Sequence, residues 1–321
     1  MTGESNPGQA QMFSYFLDNH RFIRKHSFMR TVGIPRSIPA VSLLMLLAFG
    51  FASGLSAAPA DGADCVSYAA CESRIRELHQ AGKSASALAL FESAPDQQKV
   101  VAESSDAALL KARLLLDRDR LREAGMIYED QCRSVRTHSC WNALGVVRMV
   151  SGGHADAIAA FEEALTIQKS ARTYSNLAVA YAHMNQPDHA RENHDRALAL
   201  EPENPTVQMN FGVFLFTGRR FADAGAIFKN VLNRNPDLFY ARLYMGRVLT
   251  MQREYNAALL EFDRGIQLNP NFFDLYYHRA VVRAKLGDPG GALSDLNQAD
   301  RINPISGLTD PLREAIKRKK K

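Results

Sequence analysis

Four cysteines, three closely spaced histidines and three asparagines in register are the residues of this chain whose types and spacing could do chemistry. Cys65, Cys71, Cys132 and Cys140 form two near pairs, which in an oxidising compartment reads as two disulfides, Cys65 with Cys71 and Cys132 with Cys140. No CxxC redox pair is present. His183, His189 and His194 are the one histidine cluster, but His194 falls on a core-facing position and the other two near a turn, so a metal site is not expected. Asn142, Asn176 and Asn210 recur at intervals of 34 residues, a spacing that would set three amides on equivalent sites, each able to donate and accept a hydrogen bond. The chain contains no glycine-rich phosphate loop, HExxH, nucleophile elbow or paired Cys and His beyond what disulfides explain. The expectation is a non-enzyme with no cofactor.

The elements that must position these residues follow from one period. Ala190, Ala224, Ala258 and Ala292 recur every 34 residues, and so do Pro202, Pro236, Pro270 and Pro304. A phase held over four copies means that one supersecondary unit is stacked on itself. Within 171–204, Tyr174, Leu177, Ala178 and Tyr181 make one stripe at helical spacing, Gln186 and Pro187 interrupt it, and Ala190, His194 and Ala197 make a second. Each unit therefore reads as helix, turn, helix and a proline-containing turn. A small residue at position 8 (Ala178, Gly212, Gly246, Ala280) lets two helix backbones approach closely, with Phe228, Phe262 or Leu296 at position 24 filling behind.

These residues and this length resemble the tetratricopeptide repeat. The four strict copies are 171–204, 205–238, 239–272 and 273–306; 138–170 keeps Trp141, Leu144, Gly145, Ala157 and Phe161 in phase but is one residue short. Weaker traces persist at 105–137 (Leu115, Ala124, Tyr128) and 68–104 (Ala87, Phe91), and Asp310–Lys321 reads as a short solvating helix. The resemblance implies an all-α, right-handed superhelical solenoid whose first helices line a concave wall that binds a protein segment. It also implies that positions 2, 5, 6, 9 and 12 face that wall. The candidate peptide-binding residues are then Asn142, Arg172, Asn176, Asn210, Phe216, Tyr240, Tyr244, Arg247, Tyr277 and His278, with Ser175, Thr206, Met209 and Leu243 among them. The asparagines would form an amide ladder for an extended peptide, and Phe216, Tyr240, Tyr244 and Tyr277 an exposed aromatic sector beside it. Asparagine at position 6 is also common in the repeat itself, which leaves a packing role open. Arg279 and Arg283 are expected to pair with Asp295 or Asp300 across the hairpin.

The first 60 residues read as a targeting segment. Arg21, Arg24, Lys25, Arg30 and Arg36 precede an uncharged stretch from Ile38 to Ala58, and Ala58-Pro59-Ala60 fits a small-x-small cleavage site. An uncleaved membrane anchor is the alternative. Either route exports the repeats to the periplasm or beyond. Residues 1–60 carry a net +3 and the run Lys317–Lys321 carries +5, so the repeat body is about −3 within a total of +5. An acidic body argues against nucleic acid as a partner, and membrane contact is expected only through the N-terminal segment or the basic tail. The expected organisation is 1–60 signal or anchor, 61–137 divergent repeats with the cysteines, 138–306 the repeat array, and 307–321 a terminal helix and tail. The expected role is an interaction scaffold in the cell envelope. A structural subunit that packs through its convex face or edges, and an accessory subunit of a partner enzyme, are the alternatives.

Overall fold

The computed structural model describes residues 66–304 and 307–318. The targeting segment expected in 1–60, Cys65 and the last three lysines lie outside those residues. Among the described residues there are sixteen helices and no strand. No helix is long and apolar enough to cross a membrane.

The helices fall into two compact units that divide between Gln168 and Lys169. The first contains α1 (Tyr68–Gln80), α2 (Ser84–Ser93), α3 (Gln97–Glu103), α4 (Ser105–Asp117), α5 (Leu121–Ser134), α6 (His138–Val150) and α7 (His154–Ile167). Its hairpins are α1–α2, α4–α5 and α6–α7, with the seven-residue α3 inserted between the first two. Ser67, Ser104 and Thr137 cap α1, α4 and α6 by accepting the backbone N–H of Ala70, Ala107 and Cys140. One continuous core runs through the unit, from Ile75 and Phe91 to Leu114, Tyr128 and Leu144. The weak traces at 68–104 and 105–137 are thus genuine helical hairpins.

The second unit contains α8 (Ala171–His183), α9 (Pro187–Leu200), α10 (Pro205–Thr217), α11 (Phe221–Arg234), α12 (Phe239–Met251), α13 (Tyr255–Leu268), α14 (Phe273–Lys285), α15 (Pro289–Ile302) and α16 (Asp310–Arg318). The four strict repeats are the four hairpins α8–α9 to α14–α15. Each turn inside a hairpin hinges on one residue in the left-handed region: Gly82, Asp119, Gly152, Asn185, Arg219, Arg253 and Gly287. The last four recur 34 residues apart, and at two of them arginine occupies a conformation that glycine adopts without cost.

Turns between hairpins have a second recurring lock. The side chain at position 4 of each following helix donates to the carbonyl of the proline six residues earlier: Gln208 Nε2 to Pro202 O at 2.6 Å, Arg242 Nη2 to Pro236 O at 2.6 Å, and Tyr276 Oη to Pro270 O at 3.0 Å. Three chemically different donors satisfy the same acceptor, a carbonyl in the turn just past the C-cap of each second helix. At the far flank, Leu312 and Ile316 of α16 cover Ala280, Ala292 and Leu296 of the last hairpin.

Candidate functional site

In the second unit the first helices of successive hairpins touch one another in order, α8 to α10, α10 to α12 and α12 to α14. That arrangement builds a wall from first helices, and it decides what each position of the wall can do. Residues that face the neighbouring first helix are sealed by it. Asn210 is 5% exposed, and its amide Nδ2 donates to Ser175 Oγ of the preceding repeat at 2.9 Å; Asn176 is 1% exposed. The two asparagines of this unit therefore sit within the stack rather than on its surface. Asn142, in the first unit, is half-buried on α6.

The aromatic sector needs the same correction. Tyr244 is 1% exposed, stacked on Phe228 at 5.4 Å between ring centroids and edge-on to Phe216 at 6.0 Å. Tyr240 is 3% exposed and packs against Phe239 at 4.1 Å and Phe272 at 5.1 Å. These rings, expected as exposed anchors, are core. Burial raises the Tyr244 phenol pKa above its ordinary value, with the nearby Arg247 opposing the shift. Met209 and Leu243 are likewise fully buried.

A smaller set keeps contact with solvent. Arg172 is exposed, while Arg247, Tyr277 and His278 are half-buried. Arg247 lies over the Phe216 ring at 4.6 Å and the Tyr244 ring at 4.8 Å. Tyr277 packs on Phe273 at 6.0 Å and edge-on to His278 at 5.4 Å, and burial pushes its phenol pKa up. Val179, Val213 and Val281, at the same repeat position as Arg247, are half-buried as well. Position 9 is one of the wall positions the resemblance implies, and Arg247 was named from it, but its valines were not among the named candidates.

The remaining candidates are structural. Arg279 bonds Asp295 through Nε at 2.9 Å and Nη2 at 2.5 Å, and reaches Asp263 on α13 at 2.6 Å; Arg283 joins Asp295 at 3.0 Å. Asp300 turns instead to Arg313 of α16 at 2.7 Å. His194 is fully buried against Phe211 and Phe214, and His189 stacks on Tyr181 at 5.1 Å. Among the described residues no group of three or more His, Cys, Asp or Glu side chains could hold a metal ion. In the first unit Cys132 and Cys140 form a disulfide that ties the end of α5 to the start of α6, with Cα atoms 5.6 Å apart. Cys71 is disulfide-bonded too, and Cys65, its expected partner, lies outside the described residues.

The tetratricopeptide-repeat profile matches residues 175–239, the span from within α8 to the first residue of α12. These are tetratricopeptide repeats. A tetratricopeptide repeat protein from Parabacteroides merdae superposes with a TM-score of 0.63 at 11% identity, over 78% of this chain and 98% of that one, which shows a common fold. Among characterised proteins, the chain is similar to protein FlbA of Caulobacter vibrioides, at 26% identity over 162 residues covering 50% of this chain and 27% of FlbA. It is also similar to the type IV pilus assembly protein PilF of Pseudomonas aeruginosa, at 28% identity over 134 residues covering 40% of this chain and 52% of PilF. The chain thus spans about a quarter to a half of these two relatives. Tetratricopeptide-repeat proteins bind protein partners.

Proposed function

We propose that the chain is a non-enzymatic interaction scaffold of the cell envelope that holds an extended segment of a partner protein along the wall of first helices. The observation that carries this reading is the half-buried row Val179, Val213, Arg247 and Val281, one residue per repeat, flanked by exposed Arg172 and by half-buried Tyr277 and His278. A row with one residue per repeat suits a ligand that is itself extended and repetitive along its backbone. The Cys132–Cys140 disulfide supports an oxidising compartment, in line with the apolar segment read at 38–58. Similarity to PilF, a pilus assembly protein, supports a role in assembly rather than catalysis.

The test is affinity capture from native envelope extract with the whole chain as bait, beside Val213→Lys and, as a surface control, Lys229→Ala. A partner kept by the control and lost with Val213→Lys supports recognition by the first-helix wall. A partner kept by all three baits moves the function to the outer helices, where Leu260 and Leu268 stand exposed.

A further inference from the structure

The hairpins of the second unit share one phase and their first helices run side by side in order, so the turns inside the hairpins line one edge of that unit. The hinges of those turns are Asn185, Arg219, Arg253 and Gly287, all at positive φ. Glycine takes that conformation without strain and arginine does not, so side chains are kept at Arg219 and Arg253 against the preference of the backbone. Both are exposed, and no ion pair or side-chain hydrogen bond among the described residues holds either guanidinium. Within two residues of the hinges stand Met184, Met251 and Leu286, large apolar side chains that are exposed as well.

Helix α16 brings further cations to the same edge. Arg313 reaches Asn297 and Asp300 while Ile316 lies on Ala292 and Leu296, so α16 runs antiparallel to α15 and ends beside the last turn with Lys317 and Arg318 exposed. The carboxylates of the edge are Asp188, Asp223, Glu254, Asp288 and Glu314. Asp223 is taken by Arg220 at 2.7 Å and Glu314 by Lys317 at 3.0 Å, while Asp288 caps α15 by accepting the Gly291 N–H at 2.8 Å. Left unpaired are the cations Arg219, Arg253, Lys285 and Arg318 against the carboxylates Asp188 and Glu254, so the free charge of the edge is positive.

We propose that this edge rests on an anionic phospholipid bilayer, with Arg219, Arg253, Lys285 and Arg318 against the headgroup phosphates and Met184, Met251 and Leu286 at the boundary with the acyl chains. Unpaired cations interleaved with exposed apolar side chains fit a surface that is charged outside and apolar beneath. An acidic polypeptide would meet the cations and leave the apolar side chains in water. The contact is separate from the wall of first helices. It also needs neither the N-terminal segment nor the lysine tail, where the sequence alone puts membrane contact.

Acrylodan attached to the whole chain through Gln252→Cys tests this, since no cysteine among the described residues is free. Its emission is expected to shift to the blue with vesicles of phosphatidylglycerol and phosphatidylcholine in about equal parts, and to stay unshifted with phosphatidylcholine alone. The same dye at Leu260→Cys, exposed on α13 away from the edge, should not shift. Arg219→Gly with Arg253→Gly in the Gln252→Cys chain should need about tenfold more lipid for the same shift while melting no lower, because glycine suits both turns. Lys285→Gln with Arg318→Gln, which leaves the hinges untouched, carries the comparison if the glycine variant melts lower. An equal shift at Leu260→Cys, an equal shift on neutral vesicles, or an unchanged lipid requirement in the variants overturns the proposal. Loss of the shift on removing Lys319–Lys321 from an otherwise intact chain gives the contact to the tail and overturns it too. A shift with soluble polyglutamate and none with vesicles overturns it in favour of an acidic polypeptide.

Discussion

Gly246 and Phe262 are fitted to each other: a Cβ placed on Gly246 would stand 2.6 Å from Cε1 of the Phe262 ring. The same fit recurs at Gly212 with Phe228 at 2.6 Å and at Gly145 with Phe161 at 2.5 Å. Where position 24 is His194 or Leu296, position 8 is alanine, Ala178 or Ala280. Gly246→Ala is therefore expected to cost about 1–3 kcal/mol through overpacking. Phe262→Leu in the same chain should recover part of it, giving a coupling beyond about 0.5 kcal/mol in a double-mutant cycle followed by urea unfolding. Strict additivity would mean that the two residues do not share the space.

His194 makes stability depend on pH. Burial, with Arg191 adding to it, pushes its imidazole down to about 3 from an ordinary value near 6.5. The folded state therefore prefers the neutral ring, and the unfolded chain takes up the proton first. Its contribution is fully present above about pH 6.5 and declines as pH falls toward 3, by roughly 2 kcal/mol at pH 5. His194→Phe should flatten this dependence of the urea midpoint between pH 7.5 and 5, since phenylalanine occupies the equivalent site at Phe228 and Phe262. An unchanged slope would assign it to other groups.

Tyr276→Phe removes one donor and leaves the shape. The Pro270 carbonyl then loses its 3.0 Å hydrogen bond, with an expected cost of about 1 kcal/mol. Tyr276→Gln, which copies the Gln208 contact to Pro202, should restore the bond more fully than Tyr276→Leu does. Urea midpoints of the three variants check the order.

Asp295→Ala leaves Arg279 half-buried with Asp263 alone, and takes from Arg283 its carboxylate partner. The expected loss is about 3 kcal/mol, since removing one partner strands charges that folding has already desolvated. Salt should change this loss little, because Asp295 itself is buried. Comparing urea midpoints at low and high salt checks both points.

Cys132→Ser with Cys140→Ser opens a short loop and should lower stability of the first unit by about 2.5 kcal/mol in the chain-entropy view. Under non-reducing conditions the native chain should resist alkylation at both positions by mass spectrometry. Modification of either without reductant would remove the staple and the argument for an oxidising compartment.

Much of the fold was legible because the 34-residue phase of Ala190, Pro202 and their copies states where each hairpin begins and ends. Helix α3 was not: Pro95 and Asp96 precede it, but the seven residues Gln97–Glu103 bury no side chain that would show as an apolar stripe, and they lie where the phase has decayed. Arg219 and Arg253 hid a left-handed turn that glycine announces at Gly287. The site was only half legible. Arg172, Arg247, Tyr277 and His278 keep solvent contact, whereas Asn176, Asn210, Tyr240 and Tyr244 do not, because parts of neighbouring repeats pack over them, as Phe216 and Phe228 do on Tyr244 and Phe272 on Tyr240. One helix's periodicity shows which face is apolar, but burial by the next repeat depends on how far apart two copies settle, and no single repeat encodes that distance.

Each hairpin in the array presents one flank that fits the hairpin after it, so an uncovered flank is an open growth point for a second copy of the same chain. Helix α16, with Leu312 and Ile316 lying on Ala280, Ala292 and Leu296, occupies that point. In the language of polymers it is a chain stopper for that flank.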